Sequence, residues 1–178
     1  MKNHPIASTI LALLLIAPAF QIAYHYQRQP DPMASHFNVQ GKVDGWMSKQ
    51  SFVLSQIGME AGLAAVWLGL IWGIGRLPTR WISMPSRDYW LAPSRRDETL
   101  RAVAGQMLWM VDATLLLSTV IFESAYRANY ENPPAIGNWG IYSLAAFMGF
   151  TVFWVILFRH RFPHVPLSQQ TECNDDGT

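Results

Sequence analysis

Apolar residues gather into four long runs, at about 6–26, 52–75, 102–122 and 139–158, separated by segments rich in Arg, Asp, Asn and Pro. A hydrocarbon core about 30 Å thick takes about 20 such residues as a helix, so each run predicts one crossing. Helix is the only form open to an isolated crossing, because lipid offers the backbone no hydrogen-bond partner. The pattern predicts an all-α fold, a four-helix membrane bundle over residues 1–162, and a disordered cytoplasmic tail over 163–178, where Pro163 and Pro166 lead into polar sequence.

The first run admits a second reading. Lys2 before an apolar stretch, with Ala17-Pro18-Ala19 inside it, has the layout of a signal peptide. The run continues through Phe20, Ile22, Ala23 and Tyr24 to the length of a full span, which favours retention. In a retained helix Pro18 deprives the Leu14 carbonyl of its usual donor and predicts a kink.

The loop between the first two runs is dense in turn chemistry: Gln29-Pro30-Asp31-Pro32, then Asn38 with Gly41, then Asp44-Gly45. It predicts an ordered segment with a short hairpin, in which the Asn38 to Gly41 turn brings the side chains of His36 and Asp44 together. Ahead of the third run, Ser94 followed by Asp97 has the spacing of a capping box, which predicts a helix start at Ser94.

Composition and charge then orient the bundle. Hydrophobic residues make up 51% of the chain and charged residues only 14%, while the interleaved polar loops hold mean hydropathy at +0.11. A net charge of +1 gives no electrostatic footprint for nucleic acid. Nine Lys and Arg residues fall on the side of the two termini and the middle loop, and four fall on the other side. Positive charge is retained in the cytoplasm, so both termini are expected there and the 27–51 loop outside. Aromatic residues mark the two interfaces, with Tyr24, Tyr26, Trp46, Tyr126, Tyr130, Trp139 and Tyr142 on the outer one and Trp72, Trp81 and Trp90 on the inner. The Arg87, Arg95, Arg96, Trp81 and Trp90 cluster reads as an anchor on anionic lipid, or more sharply as a protein dock.

Candidate chemistry rests on acids inside the spans, since a carboxylate at mid-bilayer costs at least about 2.5 kcal/mol and calls for a partner or water. Glu60 lies about 12 Å from the outer end of its run and Asp112 about 15 Å from the inner end, at about 1.5 Å per residue. Their similar depth would let the two carboxylates meet in a shared site. Thr119 and Glu123 follow Asp112 on one helix face. One reading makes Glu60, Asp112, Thr119 and Glu123 the wall of a polar cavity for a proton, cation or small ligand. The other makes them interhelical hydrogen-bond contacts, with Glu123 paired to Arg127 four residues on.

Gly58, Gly62, Gly69 and Gly73 form a small-residue stripe that suits either packing within the bundle or a homo-oligomer contact. His36 with Asp44 suits a loop hydrogen bond or an acid/base or metal site. No metal-spaced His/Cys set, hydrolase triad order or phosphate loop occurs, and no cofactor is expected; the single cysteine is Cys173.

The run from Pro32 to Lys49 (PMASHFNVQGKVDGWMSK) resembles the signature of a bacterial membrane family, the domain of unknown function 1648. His36, Asn38, Gly41, Asp44, Ser48 and Lys49 are the matching positions, and the segment Pro85 to Arg96 resembles a second element of that family. The same domain begins the larger SdpI-type membrane proteins of toxin immunity and signalling. The resemblance therefore implies a non-enzymatic protein of the bacterial inner membrane that senses or binds at its outer face, with an extracellular peptide as ligand and His36, Asn38, Asp44 and Lys49 in the binding loop. The rival reading is a small transporter or membrane enzyme using Glu60 and Asp112 for proton or cation chemistry.

Overall fold

The computed structural model describes residues 4–38 and 40–165; Lys2, Cys173 and the expected disorder of 166–178 lie outside the described residues. Four long helices form as the apolar runs require: α1 (Pro5–His25), α2 (Lys49–Ile74), α4 (Arg96–Ala128) and α5 (Trp139–Arg161), with a one-turn helix α3 (Arg87–Trp90) in the middle loop. All four are long and apolar enough to cross a membrane. At about 1.5 Å per residue, the 33 residues of α4 reach about 50 Å, so this helix outruns the hydrocarbon core.

The bundle is organised around α4, against which α1, α2 and α5 all pack. Ala7 and Leu11 of α1, Ala64 of α2, and Leu108, Val111 and Leu115 of α4 make the central apolar cluster. No residue of α5 is buried, and the outer faces of α1 and α2 leave Leu13, Phe20, Leu54, Val66 and Trp72 exposed. In water such faces would drive aggregation; in a bilayer they are the lipid-contacting surface. The glycine stripe of α2 belongs to that surface. A Cβ at Gly58, Gly62, Gly69 or Gly73 would meet nothing within 4 Å, which corrects the within-bundle packing reading. Gly105 on α4 is the close-approach glycine, because a Cβ there would collide with the His4 imidazole.

Between α1 and α2 the chain forms the antiparallel hairpin β1 (Met33–Phe37) and β2 (Val43–Met47). Asn38 closes it: its Oδ1 accepts from the N–H groups of Gln40 and Lys42, and Gly41 takes the positive φ of 78° that an L side chain resists. Ser48 then caps α2 by accepting from Ser51 N. The loop after α4 joins the same end, with Ile136 N donating to Gly41 O.

The opposite end is closed by the middle loop. Arg96 donates to the carbonyls of Gly75 and Leu77 beyond α2, Ser86 Oγ accepts from Val165 N, and Trp90 Nε1 donates to Pro163 O. The start of the expected tail, Pro163 to Val165, is thus held against this loop. The cationic cluster is also used internally, with Arg87 paired to Asp88 and Arg95 over the Tyr89 ring. The capping box at Ser94 does not form. Instead α4 starts at Arg96, with Arg95 and Arg96 N–H both bonded to Ala92 O, because the turn after α3 supplies the first acceptors.

Candidate functional site

Directly beneath the hairpin, α1, α2 and α4 each aim polar side chains inward, and these meet in one network. Gln21 and His25 stand one turn apart on α1, Gln56 and Glu60 one turn apart on α2, and Thr119, Glu123, Tyr126 and Arg127 along the last turns of α4. His25 is the hub. Its Nε2 lies 3.0 Å from Glu123 Oε2 and its Nδ1 2.6 Å from the Tyr130 hydroxyl, while its ring stacks on Tyr126 with centroids 4.5 Å apart. Gln21 Nε2 donates to Glu123 Oε2 and to the Thr119 carbonyl. Gln56 Nε2 donates to Gln21 Oε1, and Gln56 Oε1 accepts from Tyr126 OH at 2.7 Å.

Each amide is used at both ends, which is the condition for burying such groups at all. With Glu123 ionised, His25 Nε2 carries a proton. At Nδ1 the Tyr130 hydroxyl donates or accepts according to whether that nitrogen carries a proton. The expected Glu123–Arg127 pair is present at 2.7 Å, as the rim of this network. Tyr126 does not belong to an interfacial belt: it is fully buried, because its hydroxyl finds Gln56 and its ring finds His25 and Phe52.

The hairpin is fastened to the same turns of α4. Asn129 Oδ1 accepts from Ala34 N at 2.7 Å, and its Nδ2 donates to the carbonyls of Ala34 and Ala125. Gln29 Nε2 donates to the Tyr126 carbonyl. Met33 packs with Phe52, Phe122, Ala125 and Tyr126. Lys49 ties the loop to α2, its N–H donating to Asp31 and its ammonium to the Gln29 carbonyl, 4.8 Å from the Tyr26 ring centroid.

His36 and Asp44 stay exposed and no hydrogen bond or ion pair joins them, which corrects the expected contact. The register explains it. His36 pairs with Gly45, which packs against the His36 side chain, while Asp44 falls at the register shift between the His36–Gly45 and Phe37–Val43 pairs and has no partner across the ladder. Trp46 is exposed beside them.

Glu60 and Asp112 are both buried but line different clefts. Glu60 borders one of about 550 Å³ between α1 and α2, with Pro18, Ala19 and Ile22. Asp112 borders one of about 480 Å³ between α1, α4 and α5. Equal depth did not bring them together, because Glu60 sits one turn from Gln56 on the network side of α2 whereas Asp112 turns toward α5. Glu60 Oε1 and both Asp112 oxygens have no hydrogen-bond partner among the described residues. Nor do those residues include three or more His, Cys, Asp or Glu side chains grouped to hold a metal ion.

Sequence reasoning passed over Gln21, His25, Gln29, Gln56 and Asn129. The available signal was the pair of polar residues four apart within each of two apolar runs, Gln21 with His25 and Gln56 with Glu60.

Compared with known proteins, residues 13–59 match the family model described as Domain of unknown function (DUF1648). The match spans most of α1, the whole hairpin and the first turns of α2, and it contains the 32–49 motif. No curated protein and no solved structure matches the chain.

Proposed function

We propose, for a membrane protein whose residues 13–59 carry this domain of unknown function, that the hairpin is an outward-facing receptor element and the His25–Glu123 network beneath it registers the ligand. One observation carries the reading. Strand β1 is bolted by Asn129, and the segment before it by Gln29, to the end of α4 and the turn that follows it, which also present Glu123, Tyr126 and Tyr130 to His25. A ligand that shifts the hairpin therefore shifts the groups that hold the imidazole. The switch needs only two arrangements of a packed polar cluster, with the ligand favouring one.

The exposed Trp46, His36 and Asp44 supply an aromatic, a titratable base and an acid on one small ribbon, a set suited to an extracellular peptide. Residues of the motif divide accordingly. Asn38, Gly41 and Ser48 shape the hairpin and its exit into α2, Lys49 fastens the loop, and His36 and Asp44 are left for the ligand. The reading is of binding and signalling or protection, without catalysis. The nine-to-four partition of Lys and Arg supports an orientation with this hairpin outside.

The test is photo-crosslinking in cells with a benzophenone amino acid at position 46, against the same probe at position 81 near the other end of the bundle. A crosslinked extracellular peptide from position 46 alone is the expected result. Crosslinks only to cytoplasmic proteins from position 46 would overturn the reading.

A further inference from the structure

The cleft between α1, α4 and α5 stands apart from the hairpin and its network. Its walls are almost wholly apolar, with Ile10 and Leu14 from α1, Trp109 and Leu116 from α4, and Phe147 and Phe150 from α5 among them. One acid, Asp112, breaks this lining. It is 4% exposed, and neither carboxylate oxygen has a hydrogen-bond partner among the described residues. Ser8, Glu60, Gln106 and Ser118 in the same bundle each hold one unpartnered buried oxygen, but among the described residues Asp112 alone has two.

We propose that this cleft binds a lipophilic organic ammonium ion, whose N–H group bonds the free oxygens of Asp112 while its apolar body lies among Trp109, Phe147 and Phe150. Three features select that chemistry. A buried carboxylate without a partner is costly and is relieved by a cation that donates hydrogen bonds. Aromatic walls add attraction for an ammonium through their ring faces and for its apolar body through contact area. The volume of about 480 Å³ falls within the range of small-molecule pockets and is far larger than a bare metal ion needs. An inorganic cation would also lack ligands, since no other charged side chain lines the cleft. A neutral lipid chain would fill the walls and leave both oxygens unpaired.

The experiment is equilibrium dialysis of the full chain in lipid nanodiscs against radiolabelled benzyldimethylammonium, with uncharged isobutylbenzene as the matched control. Saturable binding of the ammonium alone is expected. Asp112→Asn should weaken it at least about tenfold, the effect of losing a charge-assisted hydrogen bond. Ala146→Trp, which narrows the cleft from α5 with Asp112 intact, should weaken it as well. Glu60→Gln, in the other cleft, should leave it unchanged. The proposal is overturned if the ammonium binds no better than to empty nanodiscs, if isobutylbenzene binds equally well, or if Asp112→Asn binds as the unaltered chain does. Should Asp112→Asn lose its helical circular dichroism, Ala146→Trp decides, and undiminished binding there overturns the proposal.

Discussion

Asn129→Ala is the sharpest probe of how the hairpin is held. The side chain is buried and makes three hydrogen bonds, two of them to the N–H and C=O of Ala34, which is fully buried in β1. Truncation strands both backbone groups of Ala34. A buried group left unsatisfied costs about 1–3 kcal/mol, so the two together weaken the docked hairpin by about 2–6 kcal/mol, with about 3 kcal/mol if water reaches one of them. The loss is local, because Leu115, the member of the central apolar cluster furthest along α4, precedes Asn129 by fourteen residues, about 21 Å of helix. Amide hydrogen exchange in nanodiscs reads such local opening directly. At about 1.4 kcal/mol per tenfold, exchange in 33–37 and 43–47 should accelerate about a hundredfold while mid-span α2 amides stay protected. Asn129→Asp should accelerate it at least as much, because the carboxylate places an acceptor against the Ala34 carbonyl. Less than a threefold change in the hairpin, or equal acceleration in the α2 span, would refute the clamp.

Other outcomes follow from the same geometry. His25→Ala should destabilise the bundle by about 2–4 kcal/mol in thermal or denaturant titration, since it removes the hydrogen bonds to Glu123 and Tyr130 and the ring stacked on Tyr126 together, whereas Arg127→Ala removes an exposed pair and should cost about 0–1 kcal/mol. Similar losses for the two variants would discredit the network. Gly62→Ala, with open space at its Cβ, should hold or raise stability by up to about 1 kcal/mol, while Gly105→Ala, which drives a methyl group into the His4 imidazole, should lower it. Intact mass should retain the residues before Phe20, because cleavage there would remove Ala7 and Leu11 from the central cluster; a product beginning at Phe20 would leave three spans.

Much of the architecture was legible along the chain. Lipid imposes helix on any apolar run of sufficient length, so four runs meant four helices whatever their neighbours. Local chemistry was equally readable: the Asn38 to Gly41 turn and the Glu123–Arg127 pair depend on residues within four positions of one another. The Ser94 capping box failed although its spacing was right, because the turn after α3 met the first N–H groups of α4 from Ala92 instead.

What the tertiary structure alone decided was rotation. In a soluble helix the apolar stripe shows which face turns inward, but α1, α2 and α5 are apolar all round, so nothing along them says which way a polar residue points. Depth in the membrane follows from counting residues; azimuth follows only from packing. Glu60 and Asp112 match in depth and part in azimuth, lining separate clefts. Gln21, His25 and Gln56 are unremarkable one at a time, and become a site only because α1 and α2 are turned so that they meet Glu123 and Tyr126 on α4.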